Sequence, residues 1–264
     1  MDDLPAEATH KSSRGSAGFQ RGRVLDSGML LVLAVLAAAP PPIPAASRQM
    51  VLSVSANWDA AEARVRRYER TSAKAPWIAA GEAMGGSLGR TGLAWGKGLH
   101  ASGLEGPTKR EGDGKSPAGV FDLRLATGYA PEAPAGTHLS YRQATATLRC
   151  VDDPRSAFYN RLVDEREVTK DWSSAEDMRR SDVLYRLVVW VGHNDAPVAP
   201  GAGSCIFLHL RASPGSVTAG CTAFDAAPME GLLRWLDPTK RPVLVQLPEA
   251  VRQSLAAGWG LPRP

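Results

Sequence analysis

The sequence predicts an α+β domain in which β-structure dominates and helices are few and short. Three observations carry this. Twenty-six glycines and 20 prolines, about one residue in six of the 264, set many turns and leave little room for a helical bundle. The apolar stretches are short and mostly alternate with period two, as half-buried strands do. Helical spacing is clear in only one place, "APMEGLLRWLDP". An apolar fraction of 44% and a charged fraction of 22% are those of an ordinary globular chain able to bury a core. The net charge of +4 is small and the basic residues are dispersed, which argues against a nucleic-acid partner.

Residues 1–46 read as an export leader. Lys11, Arg14, Arg21 and Arg23 precede the apolar run "MLLVLAVLAAA", and prolines and small residues follow through Ala46. Eleven apolar residues fall short of the roughly 20 needed to cross a bilayer as a helix, so no stable membrane span is expected after cleavage. An uncleaved anchor is the alternative. Residues 47–264 then form one domain without internal repeats.

Within it, "QMVLSVS" alternates as a strand, and "AEARVRRYER" is read as a second strand through Ala63, Val65 and Tyr68, although its alanines and arginines suit a helix equally well. The glycine-rich tract from Gly81 to Gly98 matches no phosphate-cradling pattern. "PTKREGDGKSPAGVFDL" is a charged loop ending in a short strand at Val120, Phe121 and Leu123. "CVDDPRSAFYNRLV" is another loop, and "SSAEDMRR" is expected to be a short helix capped by Ser173 or Ser174. "VLYRLVVWVGHN" is the most apolar strand. In "CIFLHL", Ile206, Leu208 and Leu210 share one face, and Cys205, Phe207 and His209 share the other. Met229, Leu232, Leu233 and Leu236 form the apolar stripe of a helix stopped before Pro238, and "PVLVQL" is a closing strand.

The chemistry centres on His209 and on Cys221 in Thr218-Ala219-Gly220-Cys221. A Cys–His nucleophile pair needs a thiol that can lose its proton, a base within reach and donors for the developing oxyanion. A histidine on a rigid strand and a cysteine after a glycine turn meet those needs, but two residues twelve positions apart are a weak signal alone. Three alternatives stand beside it. An exported chain with Cys150, Cys205 and Cys221 has an odd cysteine count, so at least one thiol is unpaired or pairs with another chain. A Cys150–Cys205 disulfide would leave Cys221 free, whereas a disulfide through Cys221 would silence it. A zinc site from His193, Cys205, His209 and Cys221 lacks the usual ligand spacing, and residues 205 and 209 of one strand stand about 13 Å apart. His209 as a purely structural histidine is the third.

"GSCIFLHLRASPGSVTAGCTAFD" resembles the active-site segment of the YkuD-type L,D-transpeptidases, where a histidine precedes a Ser/Thr-x-Gly-Cys element. "GRTGLAWGKGLH", "KREGDGKSPAGVFDL" and "CVDDPRSAFYN" extend the resemblance upstream in the order of one branch of that family, across about residues 49–248. It implies a YkuD-like β-sandwich catalytic domain and acyl transfer on peptidoglycan stem peptides in the periplasm or cell wall, with no metal or organic cofactor. Cys221 matches the nucleophile and His209 the base. Gly220 and the Cys221 amide match the oxyanion hole, and Thr218 supports the turn. Lys109, Glu111, Asp113, Lys115, Tyr159 and Asn160 become candidates for contact with a charged stem peptide. The sequence departs from the best-known motif: Ala219 stands where a second histidine is usual, the downstream asparagine or arginine is missing since Thr222-Ala223-Phe224-Asp225 follows, and the His-to-Cys interval is shorter. The acceptor is either an amine on the wall, giving a transpeptidase, or water, giving an L,D-carboxypeptidase. A non-catalytic wall-binding module is the remaining reading.

Overall fold

A computed structural model describes residues 41–262; the leader expected at 1–46 lies almost wholly outside them. In chain order the strands are β1 (Gln49–Ser55), β2 (Glu62–Glu69), β3 (Ile78–Ala79), β4 (Met84–Ser87), β5 (Leu93–Trp95) and the long β6 (Ser116–Gly128). There follow β7 (Ser140–Gln143), β8 (Leu148–Val151), β9 (Leu162–Asp164), β10 (Ala175–Asp177), β11 (Leu187–Val191), β12 (Phe207–Leu210) and β13 (Thr222–Phe224). The chain ends with α1 (Ala226–Trp235), β14 (Val243–Pro248) and α2 (Glu249–Trp259).

The main sheet runs β1-β14-β6-β11-β12-β13-β4-β2, and antiparallel pairing of β1 with β2 closes it into an eight-stranded barrel. The expectation of a predominantly β domain holds. The sandwich does not, because β1 pairs on both of its edges and leaves the sheet no open side. A second sheet, β10-β8-β9, stands apart from the barrel. Among the described residues no helix is long and apolar enough to cross a membrane.

Strand alternation divides the interior into two main cores. Ile206, Leu208 and Leu210, with Leu187, Val189 and Val191 of β11, face the larger one. That core also receives Met229, Leu232, Leu233 and Leu236, the helical stripe read from the sequence. Val188, Cys205, Phe207 and Cys221 face the other way and pack with Leu148, Cys150, Met178 and Tyr185. The two faces of β12 are therefore those expected from its alternation. The face opposite the larger core is also buried, because the small sheet covers it.

Two elements differ from expectation. Residues 173–180 are not a helix: Ala175, Glu176 and Asp177 pair antiparallel with Val151, Cys150 and Arg149 of β8. Ser173 caps nothing; its N–H and hydroxyl donate to Asp153 at 2.8 and 2.7 Å. The stretch has one buried apolar residue, Met178, which makes no helical stripe, so an available sheet edge outweighs local propensity. The strand expected at 183–194 is shortened to five residues. The helix α2 follows the strand read as the last one, its end set by Gly260 in the left-handed conformation at φ 63°.

Candidate active site

The site lies between β12–β13 and the small sheet. β12 and β13 run parallel, with Leu208 opposite Thr222 and His209 opposite Ala223. This pairing brings Cys221, one residue before β13, next to β12: the Phe207 N–H donates to the Cys221 Sγ at 3.4 Å. The thiol in turn donates to the Cys205 carbonyl at 3.6 Å. Cys150 and Cys205 form a disulfide, so Cys221 is the free cysteine. The disulfide also removes Cys205 from any metal set. His193 is occupied too, with Nδ1 accepting from the Lys97 N–H at 3.2 Å and Nε2 3.0 Å from the Ala202 carbonyl. Two of the four donors of the zinc alternative are thereby used elsewhere.

Cys221 and His209 both line a cavity of about 500 Å³. Lys109, Glu111, Glu176, Arg180, Tyr185, Thr218 and Gly220 share its wall. His209 Nδ1 lies 2.7 Å from the Leu210 carbonyl, an acceptor only, so that nitrogen carries the proton and Nε2 is left with its lone pair. Burial, the larger influence, pushes this imidazole down to about 4 and keeps it neutral at pH 7. The same desolvation pushes the Cys221 thiol well up, with the nearby Glu176 charge adding to it. The resting pair is therefore a neutral thiol and a neutral imidazole. Each hydrogen bond to the sulfur runs to backbone rather than to His209.

The depressed histidine has a measurable consequence. Its folded pKa lies below the ordinary 6.5, so the unfolded chain takes up the proton first as pH falls. Its contribution to stability is complete above pH 6.5 and is lost as pH drops toward 4. The loss of unfolding free energy between pH 7 and pH 4.5 is expected to be smaller in His209→Gln than in wild type by about 2 kcal/mol. Urea titrations at the two pH values measure it, and equal losses would show that His209 is not buried neutral.

The turn before Cys221 is built by hydroxyls. Thr218 Oγ1 accepts from the Gly220 N–H at 3.1 Å and donates to the Cys221 carbonyl at 2.7 Å. Ser116 Oγ, which accepts from the Gly89 N–H, also donates to that carbonyl at 2.7 Å. Thr218 thus supports the turn as expected. The Gly220 N–H does not face an oxyanion position, because Thr218 already holds it. What Gly220 supplies is conformation: φ is +156°, and a Cβ there would sit 3.1 Å from the Lys115 carbonyl. Gly220→Ala is expected to lower unfolding stability by about 1–3 kcal/mol and to slow any Cys221 chemistry. Chemical denaturation checks it; a variant as stable as wild type would remove the need for glycine.

The remaining sequence candidates separate into lining and support. Lys109 and Glu111 line the cavity; Asp113, Tyr159 and Asn160 stand behind it. Asp113 accepts from Lys109 Nζ at 2.6 Å and from the Arg110 and Lys115 amides, which folds the charged loop and holds its carboxyl below the ordinary range although burial opposes this. The Tyr159 hydroxyl and Ser204 both donate to Glu111 Oε2. Asn160 is buried in the left-handed conformation, φ 58°, with Oδ1 accepting from the Cys205 N–H and Nδ2 donating to the His193 and Asn194 carbonyls. Lys115 sits on the outer side of the loop, with Nζ donating to the Thr91 carbonyl.

Sequence reasoning missed Glu176, Arg180, Tyr185 and Ser116. The Tyr185 hydroxyl donates to Glu176 Oε2 at 2.5 Å, and its ring meets the His209 ring edge-on at 5.1 Å. Arg180 lies 5.1 Å over the Tyr185 ring and pairs with Asp182. Nothing in "SSAEDMRR" marks Glu176 as part of a site, because its place depends on pairing with β8.

Fold and site together define a β-barrel domain in which one free cysteine and a neutral histidine line the same cavity. No family model matches the chain, and neither the curated proteins nor the solved structures contain a significant match to it.

Proposed function

We propose that this chain is an exported cysteine L,D-transpeptidase acting on peptidoglycan stem peptides. The observation that carries the reading is that a free Cys221, one residue before β13, and a His209 of β12 whose Nε2 is unprotonated line the same cavity. The motif order noted in the sequence supplies the substrate class. Cys221 attacks the amide carbonyl of the L-centre in a tetrapeptide stem, the C–N bond breaks, and the terminal D-amino acid leaves with a proton relayed by His209. A second amine, from another stem or another wall component, attacks the thioester and returns the thiol. With the Gly220 amide held by Thr218, the Cys221 amide is the donor for the oxyanion.

The cavity wall suits a zwitterionic peptide. Lys109 and Arg180 offer cations, Glu111 and Glu176 anions, and all four line the same space. The same intermediate resolved by water gives an L,D-carboxypeptidase, so the acceptor is read from products. Purified protein incubated with tetrapeptide muropeptides is expected to give cross-linked dimers by mass spectrometry. Loss of the terminal residue without dimers makes it the carboxypeptidase. Unchanged muropeptides, with Cys221 titrating as a free thiol, overturn the reading in favour of a binding module.

A further inference from the structure

Arg90, Lys109 and Arg180 all line the cavity that holds Cys221 and His209, and they are not equivalent. Lys109 Nζ already donates to the Arg110 carbonyl at 2.7 Å and to Asp113 at 2.6 Å. The Arg90 side chain lies along Gly114, where a Cβ would meet its Cζ at 3.0 Å. Arg180 stands on the His209 side. Its Cζ lies 5.1 Å over the Tyr185 ring, and that ring meets the His209 ring edge-on at 5.1 Å. The guanidinium is therefore no farther from the imidazole than twice that spacing.

The guanidinium is set in place by its own surroundings. Asp182 takes one edge of it, accepting from Nε at 3.0 Å and from Nη2 at 2.8 Å. The Leu184 N–H pins the Asp182 carboxylate in turn at 2.9 Å. One phenol fixes the backbone of the pair: the Tyr129 hydroxyl accepts from the Arg180 N–H at 3.2 Å and donates to the Asp182 carbonyl at 2.9 Å. A guanidinium carries five N–H donors in a planar fork. Its outer edge, Nη1 with the second Nη2 proton, has no partner among the described residues, and such an edge matches a carboxylate.

The leaving group brings a carboxylate to this end of the cavity. In the function proposed above, on which this inference rests, the departing amine takes the proton relayed by His209, so it must come within about 3 Å of Nε2. The carboxylate carbon of the terminal amino acid lies two bonds from that nitrogen, about 2.5 Å away. A contact of about 2.8 Å joins a carboxylate oxygen to a guanidinium N–H. Laid end to end with the bonds between them, these spans cover about 9 Å, within the limit set by the two rings.

We propose that Arg180 recognises the α-carboxylate of the terminal D-amino acid that the reaction expels, and so confines cleavage to the last residue of a stem. The carboxylate stays ionised throughout. The bond that breaks is the amide C–N bond of the same residue, and its nitrogen takes the proton from His209. A stem that continues past this residue, or that ends in an amide, offers the fork no charge.

Two tetrapeptide stems that differ only at the end, a free carboxylate or a carboxamide, test this. Release of the last residue is followed by mass spectrometry for wild type, Arg180→Gln and Arg180→Lys, with thermal melts to confirm folding. Wild type is expected to favour the acid at least about thirtyfold in kcat/KM, the range of a hydrogen bond to a charged group. Arg180→Gln should lose about that factor on the acid and little on the amide, so the preference collapses. Arg180→Lys should recover part of it, because a point charge replaces the fork. A variant that slows both substrates alike shows a purely structural arginine and overturns the proposal. A wild type that turns over both stems equally overturns it as well.

Binding is measured separately by calorimetry on Cys221→Ala, with and without Arg180→Gln, using the same two stems. The acid should bind at least about tenfold more tightly than the amide, and the second substitution should remove the difference. Discrimination through Arg180 with no turnover in wild type sinks the transpeptidase reading alone. Turnover without discrimination sinks only this proposal, and equal binding with no turnover overturns both.

Discussion

Cys221→Ala is expected to remove acyl transfer by at least about a thousandfold while leaving the fold within about 1 kcal/mol of wild type. The two parts have separate causes. The thiol makes two weak hydrogen bonds, from the Phe207 N–H and to the Cys205 carbonyl, and sits in a core held chiefly by Phe207, Leu148, Met178 and Tyr185. Losing one sulfur atom there opens a small void and little else. The nucleophile, by contrast, has no substitute, since Cys150 and Cys205 are bonded to each other. Cys221→Ser sharpens the point. A hydroxyl suits the same two backbone partners, but its proton is held far more tightly than a thiol's, so this variant should fold as well and turn over as poorly. Circular dichroism melts and product analysis on tetrapeptide muropeptides check both. Turnover surviving in the alanine variant would end the Cys221 mechanism.

The second large effect concerns the disulfide. Cys150 and Cys205 are 55 residues apart, and closing a loop of that length removes about 4 kcal/mol of unfolded-chain entropy in the chain-entropy account. Cys150→Ser with Cys205→Ser should therefore lower Tm by about 10 °C for a domain of this size. Activity should fall further than the folded fraction. The bond ties β8 to Cys205, two residues before β12, whose carbonyl accepts the Cys221 thiol, and β8 in turn holds Glu176 of the cavity wall. Without it, the Cys205 backbone is kept in its left-handed conformation, φ 55°, largely by the Asn160 bond to its amide. Calorimetry with and without reductant measures the first effect. Thiol titration provides the control: one reactive thiol in the oxidised, denatured chain and three after reduction. Three thiols before reduction would remove the disulfide and the argument built on it.

Much of this was legible from local pattern. The alternation in "CIFLHL" decides which side chains share a face whatever the strand pairs with, and so sets His209 opposite Ile206, Leu208 and Leu210. The spacing of Met229, Leu232, Leu233 and Leu236 does the same for α1, because both are properties of a repeat along one element. The glycine before Cys221 and the odd cysteine were also readable as chemistry. Other features depend on which segments meet. β1 and β2 pair to close the barrel, β10 takes the edge of β8 in place of a short helix, and Asp113, Tyr159 and Asn160 brace the wall that Lys109 and Glu111 line. Glu176 and Tyr185 stand beside Cys221 by the same route, although 45 and 36 positions away in the chain. Periodicity tells a residue which way to face; only the pairing of distant strands, and the desolvation that follows, decides what it faces and which proton it can hold.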